Sequence, residues 1–165
     1  MMYSTPIGGK VGLLDYGQSK KLPDDERLGF ASLILALGEG DPQRVSDAMW
    51  DLGIVTDKND AKLRTRMAYD MFDTAGTYVC AVRAEVMHMR YHRLDVWSPD
   101  SPLKQTAIST FPKDLFFVLR VCQLLRGLSN GMGLTEFSTA KQWQAWARQA
   151  LRDHERGKTI EAVLL

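Results

Sequence analysis

An aspartate directly after an apolar run is the first residue of this chain whose type and position could do chemistry. Asp15 lies in the stretch KVGLLDYGQSKKL, which spans Lys10 to Leu22 and turns basic after Gly17. A buried and unpaired carboxylate is costly, so a helix terminus, a basic side chain or a metal ion would have to satisfy it. At the surface, Asp15 would instead cap a turn or a helix.

A second group with chemical potential consists of Glu85, His88 and His92. On a helix these residues share one face, and two histidines one turn apart can chelate a transition metal. The order H-E-x-x-H is absent, and His154 is the only other histidine, so the second Glu-x-x-His motif of a di-iron bundle is missing. Exposed or core-satisfied histidines are therefore the favoured interpretation.

Three further features look like functional motifs but lack residues that those motifs require. Cys80 and Cys122 form no C-x-x-C motif, so we predict buried free thiols. The glycine-rich stretch from Gly127 to Gly133 follows a predicted helix and contains no lysine, which favours a helix end over a phosphate-binding loop. The pair Lys20 and Lys21 is too small a patch to hold nucleic acid.

Length and composition indicate one ordinary globular domain over residues 1–165. The chain has 45% hydrophobic and 25% charged residues and a formal net charge of +1, so no global field favours nucleic acid. The longest apolar run, Leu28 to Gly38, is too short to span a membrane. No targeting segment is visible in the opening MMYSTPIGGK.

A β-hairpin is predicted over residues 3–15, and it would position the Asp15 carboxylate at its end. Its extended runs, Tyr3 to Thr5 and Lys10 to Leu14, are separated by a segment that ends in Gly8-Gly9, which is typical of a hairpin turn. A helix buried on nearly all sides is predicted from Pro23 to Gly38, because proline and acidic residues mark its start and glycine marks its end.

Helical spacing of apolar residues predicts the remainder of a bundle over residues 23–155. The mainly α fold class with a short N-terminal β-hairpin follows from this pattern. Trp143 and Trp146 are predicted to pack in the core or in an interface. The later predicted segments are helices from Asp41-Pro42 to Gly53, from after Asp57 or Asn59 to Gly76, from about Val82, from Thr110 to Gly131, and from Ser138 to Glu155, with a loop at 97–102 and a tail at 156–165.

Two segments resemble the UbiB/aarF-domain atypical kinases. Leu13-Leu14-Asp15-Tyr16-Gly17-Gln18 is similar to the L-x-D-F-G-Q-type motif of that family, and it is followed by the helical sequence PDDERLGFASLILALGEGD. The later segment FPKDLFFVLRVCQLLRGL is similar to the helical signature of the same family. The resemblance covers Lys10 to about Gly133 and implies a helical bundle like the large lobe of a protein kinase.

The resemblance implies a site for Mg²⁺ and ATP at Asp15 and Gly17. In kinase-like enzymes the aspartate of such a motif binds the Mg²⁺ that bridges the ATP phosphates, and glycine gives the turn its backbone freedom. Tyr16 replaces the commoner phenylalanine of the motif. No catalytic residue can be assigned, because residues 1–14 contain no Asp, Asn or His and are too few to form the catalytic segment or the nucleotide-binding lobe.

We therefore expect a fragment of an atypical kinase-like protein that does not bind Mg²⁺ and ATP tightly by itself and is inactive alone. For intact members the resemblance implies ATP-dependent support of quinone and isoprenoid-lipid metabolism in bacteria, mitochondria and plastids. Peripheral association with lipid is compatible with that role. The expected partner is the missing N-terminal lobe. The alternative hypothesis is a non-catalytic helical module that binds a protein partner through exposed apolar surface.

Overall fold

A computed structural model describes residues 2–3, 10–11, 20–73, 106–134 and 137–163, with side chains for 20–73, 106–134 and 137–157. Within these ranges the chain is mainly helical, as the sequence predicts. It forms five helices and two small antiparallel strand pairs. The elements are β1 Met2–Tyr3, β2 Lys10–Val11, α1 Asp24–Glu39, α2 Pro42–Asp51, β3 Val55–Thr56, α3 Ala61–Phe72, β4 Ile108–Thr110, α4 Leu115–Gly131 and α5 Thr139–Val163.

Both ends of α1 follow from local chemistry. Pro23 precedes the helix, and three acidic residues lie in its first turn, where carboxylates interact favourably with the helix dipole. Gly40 ends the helix in the left-handed region with φ of 76°, and its N–H donates to the carbonyl of Ala36 at 3.0 Å. The predicted start and end are confirmed to within two residues.

Side-chain caps set the starts of α2 and α3. The carboxylate of Asp41 accepts from the backbone N–H of Gln43 at 3.0 Å, and that of Asp60 accepts from the N–H of Lys62 at 2.9 Å. The predicted end of α3 at Gly76 is not observed, because the helix stops at Phe72. The next residue is extended, with φ of −111° and ψ of 153°, and its side chain is bound to α5.

The core is organised around α1, which packs against α5 on one side and α2 on the other, while α3 joins α2 to α4. Phe30 of α1 makes edge contacts with Phe72 of α3 at 5.5 Å and with Trp143 of α5 at 6.2 Å between ring centroids. Phe72 is fully buried. This aromatic row connects three helices that are distant in sequence.

The N-terminal strands confirm the coarse prediction of an antiparallel pair, with Met2 opposite Val11 and Tyr3 opposite Lys10. A second pair, β3 with β4, was not predicted from the sequence. Each of its strands has only two or three residues, too few to show an alternating pattern. Thr110 belongs to β4, so the helix expected from that residue begins five residues later.

Two C-terminal predictions need correction. The segment 156–165 was expected to be a tail, but α5 continues to Val163. Trp146 is 76% exposed, so it does not lie in the core, and its packing in an interface stays a prediction; Trp143 is half-buried. The predicted helix from Val82 and the predicted loop at 97–102 lie outside the described residues.

Candidate functional site

The residues on which the predicted Mg²⁺ and ATP site depends, Asp15 and Gly17, lie outside the described residues. The alternative metal-binding group of Glu85, His88 and His92 also lies outside them. The description of the bundle begins at Lys20. Lys20 is the first described residue that follows Asp15 and Gly17 in the sequence.

An ion pair fixes Lys20 on the bundle. Its Nζ donates to Oδ1 of Asp114 at 2.5 Å, and the Asp114 side chain is only 10% exposed. The same ammonium group lies 5.3 Å from the ring centroid of Phe117, within reach of a cation–π interaction. Asp114 precedes α4 but makes no capping bond with its side chain. The ion pair and the ring contact therefore join the residue at position 20, before α1, to the start of α4.

Glu26, in the first turn of α1, completes this charged cluster. Partial burial raises the pKa of the Glu26 carboxyl, and the carboxylates of Asp114 and Asp25 raise it further, while Lys20 and Lys113 oppose the rise. Within the described part of the chain, Oε2 of Glu26 accepts no hydrogen bond. Glu26 thus lies in the electrostatic field of two carboxylates and two ammonium groups.

The described side chains do not form a metal site by themselves. Across 20–73, 106–134 and 137–157, no three His, Cys, Asp or Glu side chains are grouped so that they could hold a metal ion. Binding of Mg²⁺ by Asp15 therefore stays a prediction of the sequence resemblance.

A buried polar junction joins the end of α3 to the start of α5. The carboxylate of Asp73 accepts from Oγ of Ser138 at 2.9 Å and from the backbone N–H of Ala140 at 3.3 Å. Oγ of Ser138 in turn accepts from the N–H of Lys141 at 3.1 Å. The pattern around Ser138 predicted a helix start, but Asp73 lies 65 residues away, and no local pattern could have identified it.

Arg126 of α4 binds the same junction from the other side. One of its guanidinium nitrogens donates to the backbone carbonyls of Asp73 and Tyr69, at the end of α3 where a cation is favoured. Burial lowers the pKa of Arg126, while Asp70 and Asp73 oppose the change. Burial also raises the pKa of the Cys122 thiol to about 12, so this thiol is protonated and unreactive at neutral pH. The prediction of a buried free thiol is confirmed for Cys122, and Cys80 lies outside the described residues.

A shallow cleft of about 240 Å³ lies between α2 and the start of α3. Buried Arg64 forms one wall, where Nε donates to Oγ of Ser46 and Nη2 donates to Oδ1 of Asn59, both at 2.9 Å. Its guanidinium carbon lies 5.4 Å from the ring centroid of Trp50. The lining residues are Asp47, Trp50, Asp51, Asn59 and Arg64. None of them is a Ser, Cys or His.

Comparisons of the chain with protein-family models, with curated proteins and with solved structures find no match. Within the described residues, no helix is both long and apolar enough to cross a bilayer. The sequence resemblance and the contacts described above are the observations that bear on the function of this chain.

Proposed function

We propose that this chain is the helical lobe of a UbiB/aarF-type kinase-like protein and contributes Asp15 to a site for Mg²⁺ and ATP. The observation that supports the proposal is the contact of Lys20 with Asp114 and Phe117. It joins the segment after the L-L-D-Y-G-Q motif to the start of the second resembling segment. Two segments that belong to one site must meet in the fold.

The chain's own residues would have three roles in this site. The Asp15 carboxylate would hold the metal, Gly17 would allow the turn behind it, and Asp114 would anchor the segment through Lys20. The metal held by Asp15 would supply neutralisation of the phosphate charge during phosphoryl transfer. A lobe that covers the nucleotide and supplies the catalytic segment is also required, so we expect no ATP turnover by the 165-residue chain alone.

The test is nucleotide binding in the presence of a separately produced small lobe from a UbiB/aarF-type kinase. We expect Mg²⁺-dependent ATP binding by the mixture and none by the chain alone. Asp15→Asn should weaken that binding at least tenfold, because it removes the metal ligand. Asp114→Asn should weaken it about fivefold or less, since a partly exposed ion pair contributes up to about 1 kcal/mol.

Asp153→Asn is the matched control, because Asp153 is an exposed carboxylate of α5 that is not part of the charged cluster at Lys20. It should leave the affinity for ATP unchanged. Equal affinity of the Asp15→Asn variant and the unmodified chain would contradict the proposed site. Mg²⁺-dependent ATP turnover by the chain alone would contradict the expected inactivity.

A binding role for the bundle surface is the second candidate function. Seven large apolar side chains between Phe116 and Leu134 are exposed, and contiguous surface of this kind marks interaction sites. Light scattering, together with the ATP-binding test, distinguishes the kinase-like role from the interaction role. A monomer that gains ATP binding with the small lobe supports the kinase-like role, and an obligate complex without ATP binding supports the interaction role.

A further inference from the structure

The cleft between α2 and the start of α3 has a buried cation in its wall. Arg64 is only 7% exposed, and its Nε and Nη2 atoms donate to the uncharged side chains of Ser46 and Asn59. In the described part of the chain its third nitrogen, Nη1, is shielded from water and has no hydrogen-bond partner. A buried charged donor without an acceptor is costly to the fold. Nη1 is therefore suited to an acceptor that a bound molecule supplies.

Two carboxylates line the same cleft. Asp47 and Asp51 lie one turn apart near the end of α2, where like charges repel each other and the helix dipole disfavours an anion. Arg44 is the only basic residue of α2, and it pairs with Glu39. Among the described ion pairs, none joins either aspartate to Arg64. Opposite charges thus border one volume of about 240 Å³ without pairing.

This arrangement of charges favours a zwitterion. An anion such as phosphate could pair with Arg64, but the two aspartates of the lining would repel it. A simple cation would leave Nη1 without an acceptor. A molecule with one carboxylate and two ammonium groups matches a lining that has one positive and two negative charges. The ring of Trp50, 51% exposed, can contact the methylene groups between those charges. The volume restricts the ligand to a small molecule.

We propose that the cleft binds a free basic α-amino acid of the lysine class, with its carboxylate on Arg64 and its ammonium groups on Asp47 and Asp51. A side chain must move before a ligand can reach Nη1. Trp50 is that side chain, because its half-exposed ring lies 5.4 Å from the guanidinium carbon, whereas two hydrogen bonds hold Arg64 in place. The cleft is shallow, so a Kd of about 1 mM is expected. This site uses neither Asp15 nor ATP and is independent of the proposed function.

The experiment titrates the isotope-labelled full chain with L-lysine at constant ionic strength and follows its amide and indole N–H signals by NMR. We expect saturable shifts at Trp50, Asp51 and Asn59. Three analogues each remove one charge of the ligand: lysinamide lacks the carboxylate, Nα-acetyl-lysine lacks the α-ammonium group and norleucine lacks the side-chain ammonium group. Each should bind at least about fivefold more weakly than lysine. Lysinamide tests the contact with Arg64 without altering a buried residue of the fold.

Asp47→Asn and Asp51→Asn should each weaken lysine binding about fivefold and preserve the fold, because both side chains are exposed. Asp153→Asn is the matched control for Asp47→Asn. Each of these two carboxylates accepts a hydrogen bond from a glutamine four residues earlier in its helix, but Asp153 lies in α5 and does not line the cleft. Its replacement should leave the affinity for lysine unchanged.

No saturable shift with lysine up to about 20 mM overturns the proposal, as does unchanged affinity in both Asp47→Asn and Asp51→Asn. Other ligands give distinguishable results, each of which also overturns it. Lysinamide binding as tightly as lysine identifies a general attraction of cations by the two aspartates. Saturable binding of inorganic phosphate without lysine binding identifies an anion site at Arg64. Saturable binding of guanosine without lysine binding identifies a nucleobase site, since guanine presents acceptors to arginine and can stack on Trp50.

Discussion

At the scale of single residues, the stability of buried charged groups near the end of α3 depends on the hydrogen bonds that they make. Asp73 and Arg126 are held by hydrogen bonds from two or more elements, which offset their removal from water. Asp70 is different, because burial raises the pKa of its carboxyl and the nearby Arg66 and Arg126 only partly oppose the rise. Ionised Asp70 is therefore less favourable in the folded chain than in the unfolded one.

We expect Asp70→Asn to stabilise the protein near neutral pH. The raised folded pKa means that the stability associated with protonated Asp70 is fully present below its ordinary value of 3.8 and is lost as the pH rises through the folded value. The asparagine side chain of the variant cannot ionise. The variant should therefore be more stable than the unmodified chain at about pH 7, and this difference should vanish below pH 3.8. The difference in stability is measured by comparing the urea unfolding midpoints of the two chains at several pH values.

Asp153→Asn serves as the control for this pH dependence. Asp153 is an exposed carboxylate of α5 that accepts a hydrogen bond from Gln149. Its replacement should shift the midpoint equally at all pH values or not at all. A lower midpoint for Asp70→Asn at neutral pH would show that the pairing with Arg126 outweighs burial.

At the scale of elements, the close approach of α1 and α5 depends on a missing side chain. A Cβ atom on Gly38 would overlap the side chain of Gln144, with Cδ at 2.6 Å and Cγ at 2.9 Å. Glycine inside a helix costs about 1 kcal/mol relative to alanine. The contact between the two helices must therefore outweigh that cost.

We expect Gly38→Ala alone to change stability by less than about 1 kcal/mol, because the gain in helix propensity is offset by the displacement of the flexible Gln144 side chain. Combined with Gln144→Ala, the same substitution should become neutral or stabilising, since the obstructing atoms are gone. Chemical unfolding of the four chains of this double-mutant cycle measures the coupling. Additive effects would show that Gly38 and Gln144 do not compete for space.

At the scale of the whole molecule, the chain divides its large apolar residues between one core and one open face. Phe72 lies in the core against Phe30, whereas Phe116 is 55% exposed at the start of α4 and contacts Phe111. In the sequence Phe72 lies between Asp70 and Asp73, whereas Phe116 lies in the apolar run LFFVL, so local composition does not predict that Phe72 is the buried one. Only the packing of α3 and α4 distinguishes them.

Phe72→Ala should therefore destabilise the protein by about 3–5 kcal/mol, because it leaves a cavity among three helices. The matched Phe116→Ala should cost about 1 kcal/mol or less, since more than half of its side chain is already in water. Thermal or urea unfolding compares the two. Equal losses would mean that the outer face of α4 belongs to the folding core.

The sequence determined the features that depend on neighbouring residues. Pro23 and Gly40 bound α1, and Asp41 starts α2. The glycine-rich stretch from Gly127 to Gly133 contains the end of α4, and its last residue, Gly133, has a positive φ of 71°, as expected for a helix end. These signals act over a few residues, so a linear pattern contains them. The sequence also supplied the family resemblance, and Asp15 and Gly17 stay a prediction from it.

Only the tertiary structure decided which residues meet across long separations. Lys20 with Asp114, Asp73 with Ser138 and the pairing of β3 with β4 join residues at least 50 positions apart. It also decided which apolar residues of α4 are buried and which are exposed. Their spacing in the sequence predicts a helix, but it does not predict which side of that helix the rest of the chain covers. The physical reason is that burial and charge pairing depend on distance in space, which is fixed only when all the helices have packed.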